Sequence, residues 1–312
     1  MAHFVDPDYA CSTERPSDFA RYWREVEAQA REIGLAPQLV RDRLRSDAEV
    51  TVYQAFYTSI DRVRVAAWYC LPADAEGPFP GLLKVPGYKS DPAVPKEWAR
   101  LGYAALAVAP RGKLRARSQF DPGYPGLLTH GIVDRNTYSY RGFYVDAWRG
   151  IDFLSARPEV DEGRLGVAGS SQGGALALCT AARRPQVRAA SVGAPFLVGM
   201  LDATELTSSY PYREISDYLR LYPQRRRRVE RTLAYFDCLN FAPSITCPLI
   251  MNIGLRDNVC PPETGYAVFR DIAASDKRLY AYPEQGHSAG RHEHDQIAAQ
   301  FLAERLEPEA RR

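Results

Sequence analysis

The chain has 312 residues, 46% of them hydrophobic and 25% charged, a composition that suits a soluble globular protein with a sizeable core and excludes disordered and collagen-like chains. Forty Lys and Arg against 38 Asp and Glu leave a net charge of +2, which recommends neither nucleic acid nor an anionic membrane as partner. The longest apolar stretches, such as residues 101–109, reach about half the roughly 20 residues that span a bilayer, and residues 1–16 hold no apolar signal-peptide core, so a cytoplasmic protein is expected.

In chain order, the first 45 residues read as helical: Phe19, Tyr22, Trp23 and Val26 recur at three- and four-residue spacing within residues 17–33, behind Pro16 and Ser17. We treat residues 1–48 as an N-terminal helical arm. From Val50 the texture changes, and residues 52–57 and 63–69, rich in β-branched and aromatic side chains, predict an antiparallel hairpin at a sheet edge. Short apolar runs then alternate with helical stretches, at 81–85, 103–109, 164–168, 189–193, 248–254 and 278–282. That alternation predicts an α/β fold whose mostly parallel central sheet carries helices on both faces, with ligands at the carboxyl ends of the strands. No repeat or low-complexity linker divides the chain, so residues 1–312 read as one domain, and about 200–240 as a helical cap insertion.

The six cysteines, Cys11, Cys70, Cys179, Cys238, Cys247 and Cys260, lie at long irregular spacings without C-x-x-C pairs, which predicts free thiols. The run Arg225 to Arg228 precedes a helical stretch and reads as a solvated helix start.

Residues 165–175 run from a buried-type strand through Gly169-Ser170-Ser171-Gln172-Gly173 into an Ala- and Leu-rich helix. An ordinary glycine-rich turn can carry the same pattern, but strand before and helix after point to a nucleophile elbow. There Ser171 occupies a strained turn, and Gly169 and Gly173 remove side chains that would collide. A serine hydrolase of this kind needs an acid and then a histidine later in the chain, each just after a strand. Asp257 follows the strand at 248–254, and His287 follows the one at 278–282. His292 and His294 fall at the start of the last helix, and no matching carboxylate or cysteine cluster accompanies them, so no metal or other cofactor is expected.

With these residues placed, the chain resembles the acetyl xylan esterase and cephalosporin C deacetylase family, carbohydrate esterases of the α/β-hydrolase fold. The resemblance runs through Arg15 to Trp23, Pro86-Gly87-Tyr88, Arg111-Gly112, Gly123 to Gly126, Tyr140-Arg141-Gly142, Gly169 to Gly174, Tyr235-Phe236-Asp237, and Gly254 to Pro262. It implies a serine carboxylesterase that removes acetyl groups from sugars or small acetate esters, with Ser171, Asp257 and His287 as triad. It further implies an oxyanion hole from the backbone N–H groups of Tyr88 and Gln172, the positions that the residue after the nucleophile and an early strand-end loop supply throughout this fold. Gly87 and Arg111 support that site by the same resemblance, and the implied assembly is a homohexamer. Three positions depart from the family pattern: Pro86 and Lys113, where a histidine and a glutamine are usual, and Ser288, where a glutamate is. Two rival readings are a lactonase, thioesterase or deacylase of secondary metabolism with the same triad, and a non-catalytic binding homologue.

Overall fold

A computed structural model describes residues 5–73, 75–88, 90–113 and 117–308; His3 lies outside them. Among the described residues, nine strands form one sheet, ordered β1-β2-β3-β5-β4-β6-β7-β8-β9. Here β1 is Gln38–Arg41, β2 Val50–Thr58, β3 Arg64–Pro72, β4 Phe79–Val85, β5 Ala104–Ala109, β6 Val160–Ser170, β7 Val187–Gly193, β8 Leu249–Gly254 and β9 Lys277–Tyr282. The first four in spatial order are antiparallel, and from β5 onward the pairing is parallel. The predicted hairpin is β2–β3, in register from Val50 opposite Pro72 to Thr58 opposite Arg64.

The reading of residues 1–45 as helical is corrected by β1, which pairs Gln38 with Phe56 and Arg41 with Tyr53. Four mostly exposed residues form this strand. Their extended state comes from the ladder with β2, a distant partner that local periodicity does not report. The predicted helix itself is α1, Phe19–Glu32, and it buries Phe19, Tyr22, Trp23, Val26 and Ala30.

In the parallel half successive residues serve opposite faces, as strand geometry requires. Leu83 of β4 and Leu249 and Met251 of β8 join one core. That core also takes in α1, α3 (Ser139–Ser155), α4 (Gln172–Arg183) and α8 (Pro262–Asp271). Leu82 and Ile250 point the other way, to Trp98 of α2 (Lys96–Arg100) and to Phe301, Leu302 and Leu306 of α9 (Arg291–Leu306). Both faces being covered explains why β5 and β8 are buried at every residue rather than alternating. Between β7 and β8 lie α5 (Met200–Leu206), α6 (Arg213–Leu221) and α7 (Arg226–Leu233). Arg226, Arg227 and Arg228 are exposed at the start of α7, and all six cysteines are free. No helix among the described residues is long and apolar enough to cross a membrane.

Candidate active site

The site assembles where β4, β6, β8 and β9 end. Ser171 joins β6 to α4 without an intervening loop and adopts φ 59°, ψ −122°, a conformation that costs a non-glycine residue about 1–3 kcal/mol. Close packing imposes it. A Cβ on Gly169 would lie 2.6 Å from Val85 Cγ2, and one on Gly173 would collide with the Val85 carbonyl. The Ser171 N–H donates to Gly193 O at 2.9 Å, and its carbonyl accepts from Phe196 and Ala175. The hydroxyl therefore stands over the start of a 12-residue helix, whose first N–H groups and dipole favour negative charge.

Asp257 sits in the turn after β8. Its Oδ1 accepts the N–H groups of Val259 at 2.8 Å and Cys260 at 3.0 Å. Its Oδ2 lies 2.7 Å from His287 Nδ1. A carboxylate can only accept, so Nδ1 carries the proton and Nε2 keeps its lone pair. The aspartate side chain is 2% exposed and the imidazole 34%, which leaves the histidine open to a reactant and its partner dry. The two loops brace each other: Arg256 N–H donates to Gln285 O at 2.9 Å and Leu255 N–H to Tyr282 O at 3.0 Å.

Cys260 lies beside Asp257 and His287. Its thiol faces the Ser171 side chain, and it lies within 4.8 Å of the ligand atoms of Asp257 and His287. Burial pushes its pKa up, so it stays a neutral thiol. Asp257, Cys260 and His287 also offer metal-ligating atoms, but the Oδ2 and Nδ1 atoms are already spent on each other. His292 is exposed, and His294 turns to the Tyr282 hydroxyl, 3.1 Å from its Nδ1.

Beyond β4, Gly87 and Tyr88 form a turn whose start abuts α4, since a Cβ on Gly173 would stand 3.2 Å from Pro86 O. Gln172 is fully buried, and its Oε1 accepts from Tyr140 Oη at 2.9 Å. The Tyr88 hydroxyl donates to Glu214 Oε1 at 2.6 Å and accepts from Leu128 N–H at 3.0 Å. Glu214 Oε2 receives the N–H groups of Gly126 at 2.8 Å and Leu128 at 3.1 Å. Burial raises the Glu214 pKa against these hydrogen bonds. Arg111 lies behind the turn, held by Asp146 Oδ2 and Oδ1 at 3.0 Å each, Asp61 Oδ2 at 3.0 Å and Ile60 O at 2.9 Å. The Lys113 ammonium donates to the carbonyls of Gly87 and Tyr88, whereas Ser288 Oγ turns to Gln285 Oε1 within its own loop.

Ser171 and Gln172, Asp257, His287, and Gly87 and Tyr88 thus follow the ends of β6, β8, β9 and β4. Sequence reasoning missed Glu214 and the position of Cys260. Glu214 is on α6, 126 residues from Tyr88, and nothing local distinguishes it from a solvated helix glutamate. A cavity of about 890 Å³, lined by Gly87, Ser170, His287 and Ser288 with Lys84 and His294, opens beside the site. The rings of Tyr88 and Tyr124 lie 5.7 Å apart and those of Tyr124 and Tyr210 6.3 Å, the outer two 43% and 40% exposed.

Comparison with known proteins adds a lineage. The family model described as acetyl xylan esterase (AXE1) matches residues 7–305. Acetyl esterase Axe7A of Xylanibacter ruminicola is 30% identical over 288 residues, 86% of this chain; the chain spans 62% of that relative's length. Among solved structures, an acetyl xylan esterase from Paenibacillus sp. R4 superposes with a TM-score of 0.90 at 32% identity, covering 96% of this chain and 98% of that one. Acetyl xylan esterase 1 from Thermoanaerobacterium sp. JW/SL YS485 gives 0.88 at 29% identity, covering 96% of each.

Proposed function

The chain belongs to the acetyl xylan esterase family, and we propose that it is a serine carboxylesterase removing acetyl and other small acyl groups from sugars or related small esters, cephalosporin-type acetates included. The observation that carries this reading is the Asp257–His287 hydrogen bond beside a serine held at a strand-to-helix turn. In this mechanism His287 Nε2 takes the Ser171 hydroxyl proton as the oxygen attacks the ester carbonyl. The backbone N–H groups of Tyr88 and Gln172 receive the oxyanion, each worth roughly 3 kcal/mol by analogy with other hydrolases. His287 then returns the proton to the departing alcohol, and water, activated by the same imidazole, releases the acyl group from Ser171. Asp257 holds the ring in the required tautomer throughout. The exposed rings of Tyr124 and Tyr210 suit the apolar faces of a sugar.

Ser171→Ala tests the assignment. Turnover of p-nitrophenyl acetate is expected to fall by about four orders of magnitude or more. The thermal midpoint should hold, because the side chain carries little packing. EDTA should leave wild-type turnover unchanged. Substantial activity in the variant would overturn the assignment.

A further inference from the structure

We propose that Lys113 is a positioning residue of the oxyanion hole, acting through the Gly87 and Tyr88 carbonyls to aim and strengthen the Tyr88 N–H donor. The inference rests on the esterase reading above. The Gly87 carbonyl and the Tyr88 N–H belong to one peptide group, and in a planar trans peptide they point in opposite directions. Fixing the oxygen at one end therefore fixes the hydrogen at the other. Lys113 Nζ lies 2.8 Å from Gly87 O and also bonds Tyr88 O, so one cation grips two successive carbonyls.

Among the described residues, Lys113 is the side chain that bonds the 87–88 peptide itself, while the Tyr88 phenol anchors the turn farther out through Glu214 and Leu128. Pro86 has no N–H to contribute, and the Ser90 N–H reaches Gly87 O only at 3.4 Å. Gly87 lacks the Cβ that would resist rotation. A rotated 87–88 peptide would present its carbonyl oxygen, not its N–H, to the developing oxyanion. The anchoring cation opposes that rotation, and a charge-assisted hydrogen bond on the carbonyl also polarises the amide toward better donation.

The lysine is itself well fixed. It is 5% exposed, follows Gly112 at φ 77°, and donates its own N–H to Pro110 O at 3.1 Å. Two residues earlier, Arg111 is clamped by Asp146 and Asp61. Burial brings the Lys113 pKa down to about 8, with Asp91 acting in the opposite direction. Among the described residues, the other charged or titratable groups around the turn include Arg111, matched by its own carboxylates, Glu214, tied to the Tyr88 phenol, and Lys84 and His287, which line the cavity with Gly87. The grip is thus ionic at neutral pH and weakens as the ammonium loses its proton.

Triacetin hydrolysis followed in a pH-stat, together with inhibition by a trifluoromethyl ketone whose hemiketal oxyanion occupies the hole, tests the proposal. Lys113→Met keeps the stem and removes the donor. It is expected to lower kcat about tenfold or more, with KM within about twofold, and to weaken the ketone in parallel. Lys113→Gln, a neutral donor, should recover part of the loss. Wild-type kcat should decline above about pH 8, and the Gln variant should lack that decline. A Met variant with wild-type kcat and ketone affinity overturns the proposal. Should Lys113→Met not fold, an alkaline decline in Lys113→Gln identical to wild type overturns it equally. Wild-type turnover that Ser171→Ala abolishes keeps the esterase reading intact, so unchanged kinetics at position 113 then count against Lys113 alone. An inactive wild type overturns both.

Discussion

A left-handed serine survives at position 171 because its neighbours leave it no alternative. Gly173 is where that restraint is most sensitive, since a methyl group there must displace the Val85 and Pro86 carbonyls and, with them, the turn that carries Tyr88. Gly173→Ala is therefore expected to lower kcat by about tenfold or more through a displaced N–H donor, while destabilising the fold by about 1–3 kcal/mol. Steady-state kinetics beside urea unfolding would check both, and a variant with wild-type kcat would show that the elbow tolerates the shift. The same residues explain what was legible. The Asp257–His287 pair and the turn at Ser171 could be picked out because each residue follows a strand in a fixed chain order, a pattern written in local sequence. Glu214 and the contacts of Lys113 could not, because their partners lie 126 and about 25 residues away across loops of no regular period.

Among the elements, α9 makes stability depend on pH. Its His294 is 4% exposed, packed edge-on against Tyr280 and Tyr282, and burial lowers its pKa to about 4 from about 6.5 in an unfolded chain. The folded protein binds fewer protons here than the unfolded chain between those values. Stability from this group is therefore complete above about pH 6.5 and is lost as pH falls toward 4. Asp237 runs the other way: burial raises its pKa to about 6, so its contribution is present at acid pH and is lost as pH rises through that value. The two partly offset, and the difference between wild type and His294→Gln isolates the histidine. Scanning fluorimetry from pH 7 to 4.5 should show the wild-type midpoint falling more steeply than that of the variant; parallel curves would assign acid lability elsewhere. At this scale most of the fold was readable, since buried parallel strands are short apolar runs and α1 shows its apolar stripe. Strand β1 was not, because Gln38–Arg41 has no pattern of its own and is extended only through its pairing with β2.

At the scale of the whole molecule the sheet is asymmetric, parallel toward β9 and antiparallel toward β1, and among the described residues neither of these edge strands has an outer partner strand. Val40 on β1 is 46% exposed and Leu44 just beyond it 95%. An open edge flanked by exposed apolar side chains invites pairing with another chain. We propose that the protein assembles through this region as the homohexamer that its family resemblance implies, with pockets facing a shared interior. Light scattering should then give about 210 kDa, six copies of a 35.0 kDa chain, and Leu44→Glu should shift the population to smaller species. A 35.0 kDa particle would refute the assembly. The consequence for specificity follows from geometry: a site reached only through an enclosed interior admits short, flexible esters and turns away chains too long to thread. Acetylated oligosaccharides and p-nitrophenyl acetate should accordingly be hydrolysed much faster than intact acetylated polymer. Leu44→Glu, by opening the assembly, should narrow that gap by raising the rate on polymer without changing the rate on p-nitrophenyl acetate. Equal rates on polymer and oligosaccharide in the intact wild type would mean that the pocket already faces bulk solvent.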